Sequence, residues 1–121
     1  MIVLLFSQSA AAADYKVRKK AGDYTVTMTI DRNPPIVAKN RLALDIRDKS
    51  GQSVTDASVS VNYFMPPMPG MAPMNYTAPA QLRGREYLMT MDLIMAGPWI
   101  IIAKISRPGS QVTVRFAISV S

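Results

Sequence analysis

The chain predicts an all-β fold, an antiparallel β-sandwich of about seven strands. Three observations carry that prediction. Apolar and polar residues alternate with period two in one run after another, turn-forming residues separate the runs, and no stretch spaces its apolar residues as a helix would. The first run sets Lys16, Arg18 and Lys20 on one face and Tyr15 and Val17 on the other. Ala21-Gly22-Asp23 turns the chain into the second, where Tyr24, Val26, Met28 and Ile30 alternate with three threonines, and Asn33-Pro34-Pro35 ends it. Leu42, Leu44 and Ile46 alternate with Arg41, Asp45 and Arg47 in the third, and Asp48-Lys49-Ser50-Gly51 follows as a turn. Val59, Val61 and Tyr63 form the fourth, and Tyr87, Met89, Met91 and Leu93 the fifth. Trp99 to Ile105 is apolar on both parities, as a strand covered on both faces would be. Arg107-Pro108-Gly109-Ser110 then leads into Val112, Val114, Phe116, Ile118 and Val120. Strands this short, at this density and joined by turns, give the sandwich an immunoglobulin-like character.

The N-terminus reads differently. Ile2-Val-Leu-Leu-Phe6 is an apolar run too short to span a bilayer, and Ala11-x-Ala13 before Asp14 suits a signal peptidase. Residues 1–13 are therefore expected to be an export signal and 14–121 the folded domain, placed in the periplasm or cell envelope. No Lys or Arg precedes the apolar run, which leaves the true start codon open. Export permits disulfides, yet the chain has no cysteine, so its stability must come from burial. The net charge of +6 comes from scattered basic residues that are not interleaved with stacking aromatics, which argues against a nucleic-acid surface. Lys16, Arg18, Lys19 and Lys20 are the densest group. They read as a solvated strand face that discourages edge pairing, and peripheral contact with an anionic membrane is the other use open to them.

The connection from Met65 to Gly84 breaks the rhythm of strands. It opens with Met65-Pro-Pro-Met68-Pro-Gly-Met71-Ala-Pro-Met74, four methionines at a spacing of three among prolines that rule out a helix or a central strand. A long connection in a small domain is expected to be functional or disordered. In a polyproline II segment residues i and i+3 share a face, with steps of roughly 9 Å between the methionines. Two sulfurs could then lean onto one ion, and a third needs the chain to curve, which Gly70 allows. Thioethers are soft and neutral, so Cu(I), with Ag(I) as its mimic, is the expected ion, and calcium, magnesium and zinc are poor candidates. The absence of histidine and cysteine excludes a blue-copper centre.

Other uses of the same residues stand beside this one. The loop can fold over one end of the sandwich and pack its methionines on Tyr63, Phe64 and Trp99. An exposed methionine surface can instead be an adaptable docking patch for a protein partner. Met65 continues the inward parity of Val59, Val61 and Tyr63 and is a candidate core residue, while Met28, Met89 and Met91 read as core filler.

Met65-Pro-x-Met68-Pro-Gly-Met71-x-Pro-Met74, followed by Met95-Ala-Gly-Pro-Trp99, resembles the YtkA-like domain, a family related to FixH-type proteins. The resemblance runs from about Leu42 to Val120. It implies a small exported or membrane-tethered β-sandwich, found with adaptor subunits of heavy-metal efflux pumps or with copper handling and oxidase assembly. It therefore implies a protein partner, either an efflux adaptor or a copper-receiving protein. It also marks Met95 as a further candidate ligand and Trp99 as a residue packing under the site. The chain has no histidine, so mixed Met/His copper sites do not carry over.

Catalysis is not expected. Histidine, the commonest general acid-base group, is absent. The carboxylates Asp14, Asp23, Asp31, Asp45, Asp48, Asp56, Glu86 and Asp92 fall mostly in turns or on polar strand faces, and no phosphate loop or nucleophile motif occurs.

Overall fold

A computed structural model of the chain describes residues 14–121, so the expected signal at 1–13 lies outside the described residues. Eight strands succeed one another: β1 (Tyr15–Ala21), β2 (Tyr24–Ile30), β3 (Ala38–Arg47), β4 (Ser58–Phe64), β5 (Asn75–Arg83), β6 (Glu86–Leu93), β7 (Gly97–Arg107) and β8 (Ser110–Val120). All pair antiparallel, in the order β1-β2-β3-β6-β5-β4-β7-β8. The expected all-β antiparallel class holds. The strand count is one higher than expected, and the sheet runs unbroken through β5 and curls until β1 and β8 approach each other.

Each strand is held by the parity that it buries. Val26, Met28 and Ile30 of β2, Leu42, Leu44 and Ile46 of β3, Val61 of β4 and Met91 and Leu93 of β6 turn inward, each 0% exposed. Burying such a side chain contributes about 1.5–3 kcal/mol. Met28, Met89 and Met91 are core residues, as expected. In β7 the expectation of cover on both faces is met only in part. Trp99, Ile101, Ala103 and Ile105 point inward and Ile100 is buried on the other face, but Ile102 is half-buried and Lys104 exposed.

The missing strand is β5, which lies in what the sequence presented as one long connection. Asn75–Ala80 pairs with β4 and Gln81–Arg83 with β6, so β5 carries the sheet around a corner. Its burial pattern is almost wholly exposed, which removes the apolar alternation that marks the other strands. Pro79 sits where β5 has a ladder partner on one side only, the kind of position where a residue without an N–H is tolerated. Gly84, at φ +64°, then opens the two-residue turn that returns Arg83 against Glu86.

The basic strand β1 is the first in the sheet order, which agrees with a charged edge. Lys19 is exposed like its neighbours and also reaches across to β8. Its Nζ donates to the Arg115 carbonyl of β8 at 2.6 Å and lies 5.4 Å from the centroid of the Phe116 ring, which bridges the seam. Elsewhere, buried Tyr87 ties the β3–β4 connection to the core. Its hydroxyl donates to the Val54 carbonyl at 2.9 Å and accepts from the Ala57 N–H at 3.1 Å.

The register gathers the methionine segment, the β2–β3 and β6–β7 connections and the chain's last residue at one end of the sheet. Val37 N–H donates to the Ser121 carbonyl at 3.0 Å, and Ser121 N–H to the Pro35 carbonyl at 2.9 Å. Buried Asn40 braces the same end through Nδ2 bonds to the Ile36 and Ala38 carbonyls, both 2.8 Å. The end that carries the methionines is therefore tied down on several sides.

Candidate metal centre

The methionine segment is the tip of the β4–β5 hairpin. Phe64 pairs with Asn75 and Tyr63 with Tyr76, and the same register continues outward to set Met65 opposite Met74 and Met68 opposite Met71. Two backbone bonds fix this course. Met65 N–H donates to the Met74 carbonyl at 3.1 Å and closes the neck. Met71 N–H donates to the Met68 carbonyl at 3.2 Å and closes the turn. Pro69 and Gly70 are the central residues of that turn, and Gly70 at φ +79° supplies the positive φ that a type II turn requires. Between the two bonds, Pro66, Pro67 and Pro73 have no N–H to extend the ladder. The expected polyproline stripe is thus replaced by a fold-back, and the interval of three is a mirror pattern about Pro69-Gly70.

Below the neck the hairpin is clamped from both faces. Asn62 Nδ2 donates to Asn75 Oδ1, to the Tyr76 carbonyl at 3.0 Å and to Thr77 Oγ1 at 3.1 Å. The Tyr63 ring lies 5.3 Å from that of Tyr76 and 6.1 Å from that of Trp99, tilted to both, within the range of favourable aromatic pairs.

The four methionines meet around one cavity of about 280 Å³, whose wall is completed by Phe64, Asn75, Ala72 and the three prolines flanking the turn. Their environments differ. Met65 is a core residue, 6% exposed, and its Cε lies where a side chain at Gly97 would begin, 3.0 Å from an added Cβ. Met74 is half-buried and packs on the core, Met71 is half-buried, and Met68 is 38% exposed.

Met95 does not line this cavity. It is half-buried against the core, and its carbonyl accepts the Trp99 indole N–H at 2.8 Å. Trp99 is fully buried, so it supports the site through Tyr63 and the β6–β7 turn rather than by facing the cavity. Asn62 supports the site as well, although no motif marked it, and so does Gly97, which lies inside Met95-Ala-Gly-Pro-Trp99 but was given no role there. The mirror placement of the methionines about Pro69-Gly70 was the available signal for the hairpin itself.

Charge is absent from the neighbourhood in sequence. No Asp, Glu, Lys or Arg occurs between Asp56 and Arg83 or between Asp92 and Lys104. Among the described residues no three His, Cys, Asp or Glu side chains gather as metal ligands. The donors the cavity can offer to an ion are therefore neutral, with the thioethers as its soft ones.

The fold and site define a small antiparallel β-domain that presents a methionine-lined hairpin at one end. The chain matches the YtkA-like family over residues 14–104 and belongs to that family. The match begins well before Leu42 and ends inside β7. Among solved structures, the soluble domain of PmoD from Methylocystis sp. ATCC 49242 (Rockwell) is similar, with a TM-score of 0.61 and 15% identity over 86% of this chain and 96% of that one. At that identity the likeness establishes a shared fold. No curated protein sequence matches the chain.

Proposed function

We propose that this protein is an exported accessory factor that binds Cu(I), with Ag(I) as its mimic, through the thioethers of its β4–β5 hairpin and passes the ion to a protein partner. One observation carries the reading: Met65, Met68, Met71 and Met74 line a single cavity in a stretch without charge. An apolar core would ordinarily absorb four methionines, yet here Met65 alone belongs to it, and prolines, a turn and a neck bond hold all four around a space. Met has three rotatable bonds, so the sulfurs can lean inward onto an ion smaller than the cavity. Membership of the YtkA-like family supports a copper-associated role. The partner is read as an efflux adaptor or a copper-receiving protein, the compartment as the periplasm or cell envelope, and the role as binding rather than catalysis. The basic β1 face remains the candidate for peripheral contact with an anionic membrane. The curled sheet is read as an immunoglobulin-like sandwich with β5 crossing between its layers.

A rival reading rests on exposure at the same end. Met68 and Tyr76 are each 38% exposed, and Val37 and Ile94 lie beyond the Ala38–Leu93 pair of the β3–β6 ladder with 46% and 50% of their surfaces open. Such a surface can dock a protein without meeting metal.

Titration with Ag(I), followed through the methionine methyl signals by NMR, separates the two. Shifts confined to residues 65–74 and abolished by Met→Leu changes support ligation, since Leu keeps much of the volume and removes the sulfur. Unshifted methyls at micromolar protein sink the metal reading and leave docking.

A further inference from the structure

We infer that the hairpin register divides the thioethers into two pairs with different work: Met68 and Met71 at the turn capture the incoming ion, and Met65 and Met74 at the neck retain it. This rests on the Cu(I)/Ag(I) reading above and adds an order of events to it. The division follows from how each pair is held. Met65 belongs to the core with its Cε against Gly97, Met74 packs on that core, and the neck bond joins the two backbones. Met68 and Met71 are outside the core and flank the Pro69-Gly70 turn, with Met68 the exposed member of the four. An ion reaching the cavity from solvent or from a donor protein meets the turn sulfurs before the buried Met65.

The chemistry suits stepwise exchange. Each step breaks one bond from the ion to a donor's soft ligand and forms one to a thioether. No electron moves, and no proton is released, because a thioether has none to lose. The neck sulfurs replace outer ligands one at a time, so a fully stripped ion never has to form. The donor or acceptor that fits is a protein presenting soft sulfur ligands at an accessible edge.

Stopped-flow mixing of the chain with Ag(I) from a weak soluble complex, read by Trp99 emission, measures association and dissociation separately. Calorimetry on the same samples gives the affinity. The double substitution Met68→Leu with Met71→Leu is expected to lower the association rate constant by about tenfold or more, with dissociation changed much less. Met74→Leu is expected to leave association within about twofold and to speed dissociation by about tenfold or more. Unchanged Trp99 emission before metal is added checks that each variant keeps its fold. If both variants shift the same constant to the same extent, the division of labour is wrong while thioether binding stands. If the unaltered chain shows no heat and no emission change with Ag(I), the metal reading fails and takes the division with it.

Discussion

Met65 and Met68 are three residues apart on one hairpin, and truncating them should have very unequal consequences. Met65→Ala removes Cγ, Sδ and Cε from a side chain that is 6% exposed. At about 0.8 kcal/mol for each buried methylene-sized group, the transfer cost is about 2.5 kcal/mol. A cavity penalty normally adds to this and takes Met→Ala into the range of about 2–5 kcal/mol. Here the side chain already borders a space of about 280 Å³, so little tightly packed volume is newly emptied and the loss should sit near the low end. Met68→Ala removes the same atoms from a side chain that is 38% exposed and outside the core, and the expected cost is below about 0.5 kcal/mol.

Urea denaturation measures both. The single tryptophan, Trp99, is fully buried beside Tyr63, so its emission follows loss of the core that Met65 helps to form. For Met65→Ala the midpoint should fall with an unchanged slope, whereas Met68→Ala should overlay the parent. Equal destabilisation by the two would show that the neck and the turn are packed alike, and the distinction between a retained and an exposed pair would then have no structural basis.

The remaining expectations concern the site's chemistry and the frame that holds it. Ag(I) affinity at pH 5 should match that at pH 7, and excess Zn(II) should not displace the ion; a steep loss on acidification would assign the ligands to carboxylates instead. Tyr87→Phe removes the hydroxyl shared by Val54 and Ala57 and should cost about 1–3 kcal/mol by urea denaturation, a loss that vanishes if water replaces the hydroxyl without penalty. Asp48 accepts hydrogen bonds from Ser50 Oγ, from the Gln52 N–H and from the Ser50 N–H, which hold its pKa below the ordinary carboxylate value. Its contribution is therefore fully present above that ordinary value and is lost as pH falls through the lowered folded one. A carboxyl NMR titration with its midpoint at or above the ordinary value would refute the turn's role.

Seven of the eight strands were legible because each turns an apolar parity toward the core, buried in most and half-buried at Tyr15 and Val17 of β1, and burial is what writes period-two alternation into a sequence. β5 was illegible for the same reason reversed. Its residues 75–83 are nearly all exposed, and it is held by backbone ladders to β4 and β6, which accept almost any side chain. Missing β5 turned a ten-residue hairpin tip into an apparent long loop and made polyproline II look like the natural course for its prolines. Met65 was readable as inward-facing from the parity of β4. The grouping of all four thioethers was not readable, because a spacing of three fits both an extended stripe and a mirror fold about Pro69-Gly70. The turn chemistry decides between them: Pro followed by Gly sets the dihedral angles of a type II turn, and Met68 and Met71 fall at its ends.

The uncharged surroundings bear on selectivity in a way that ligand softness alone does not. The molecule carries a net charge of +6, yet no Asp, Glu, Lys or Arg occurs between Asp56 and Arg83 or between Asp92 and Lys104. A cation entering the cavity gains no formal counter-charge from these segments and keeps its whole charge against apolar walls. The solvation cost of that charge grows with its square, so a divalent ion pays about four times what a monovalent ion pays in the same place. Calcium and zinc sites ordinarily offset this cost with carboxylates or thiolates, and the cavity wall offers neither. A monovalent soft ion pays the smaller cost and gains the stronger bonds to sulfur. Charge and softness therefore select in the same direction. That agreement gives physical sense to a hairpin that spends four large apolar side chains around a space and places no acid beside them.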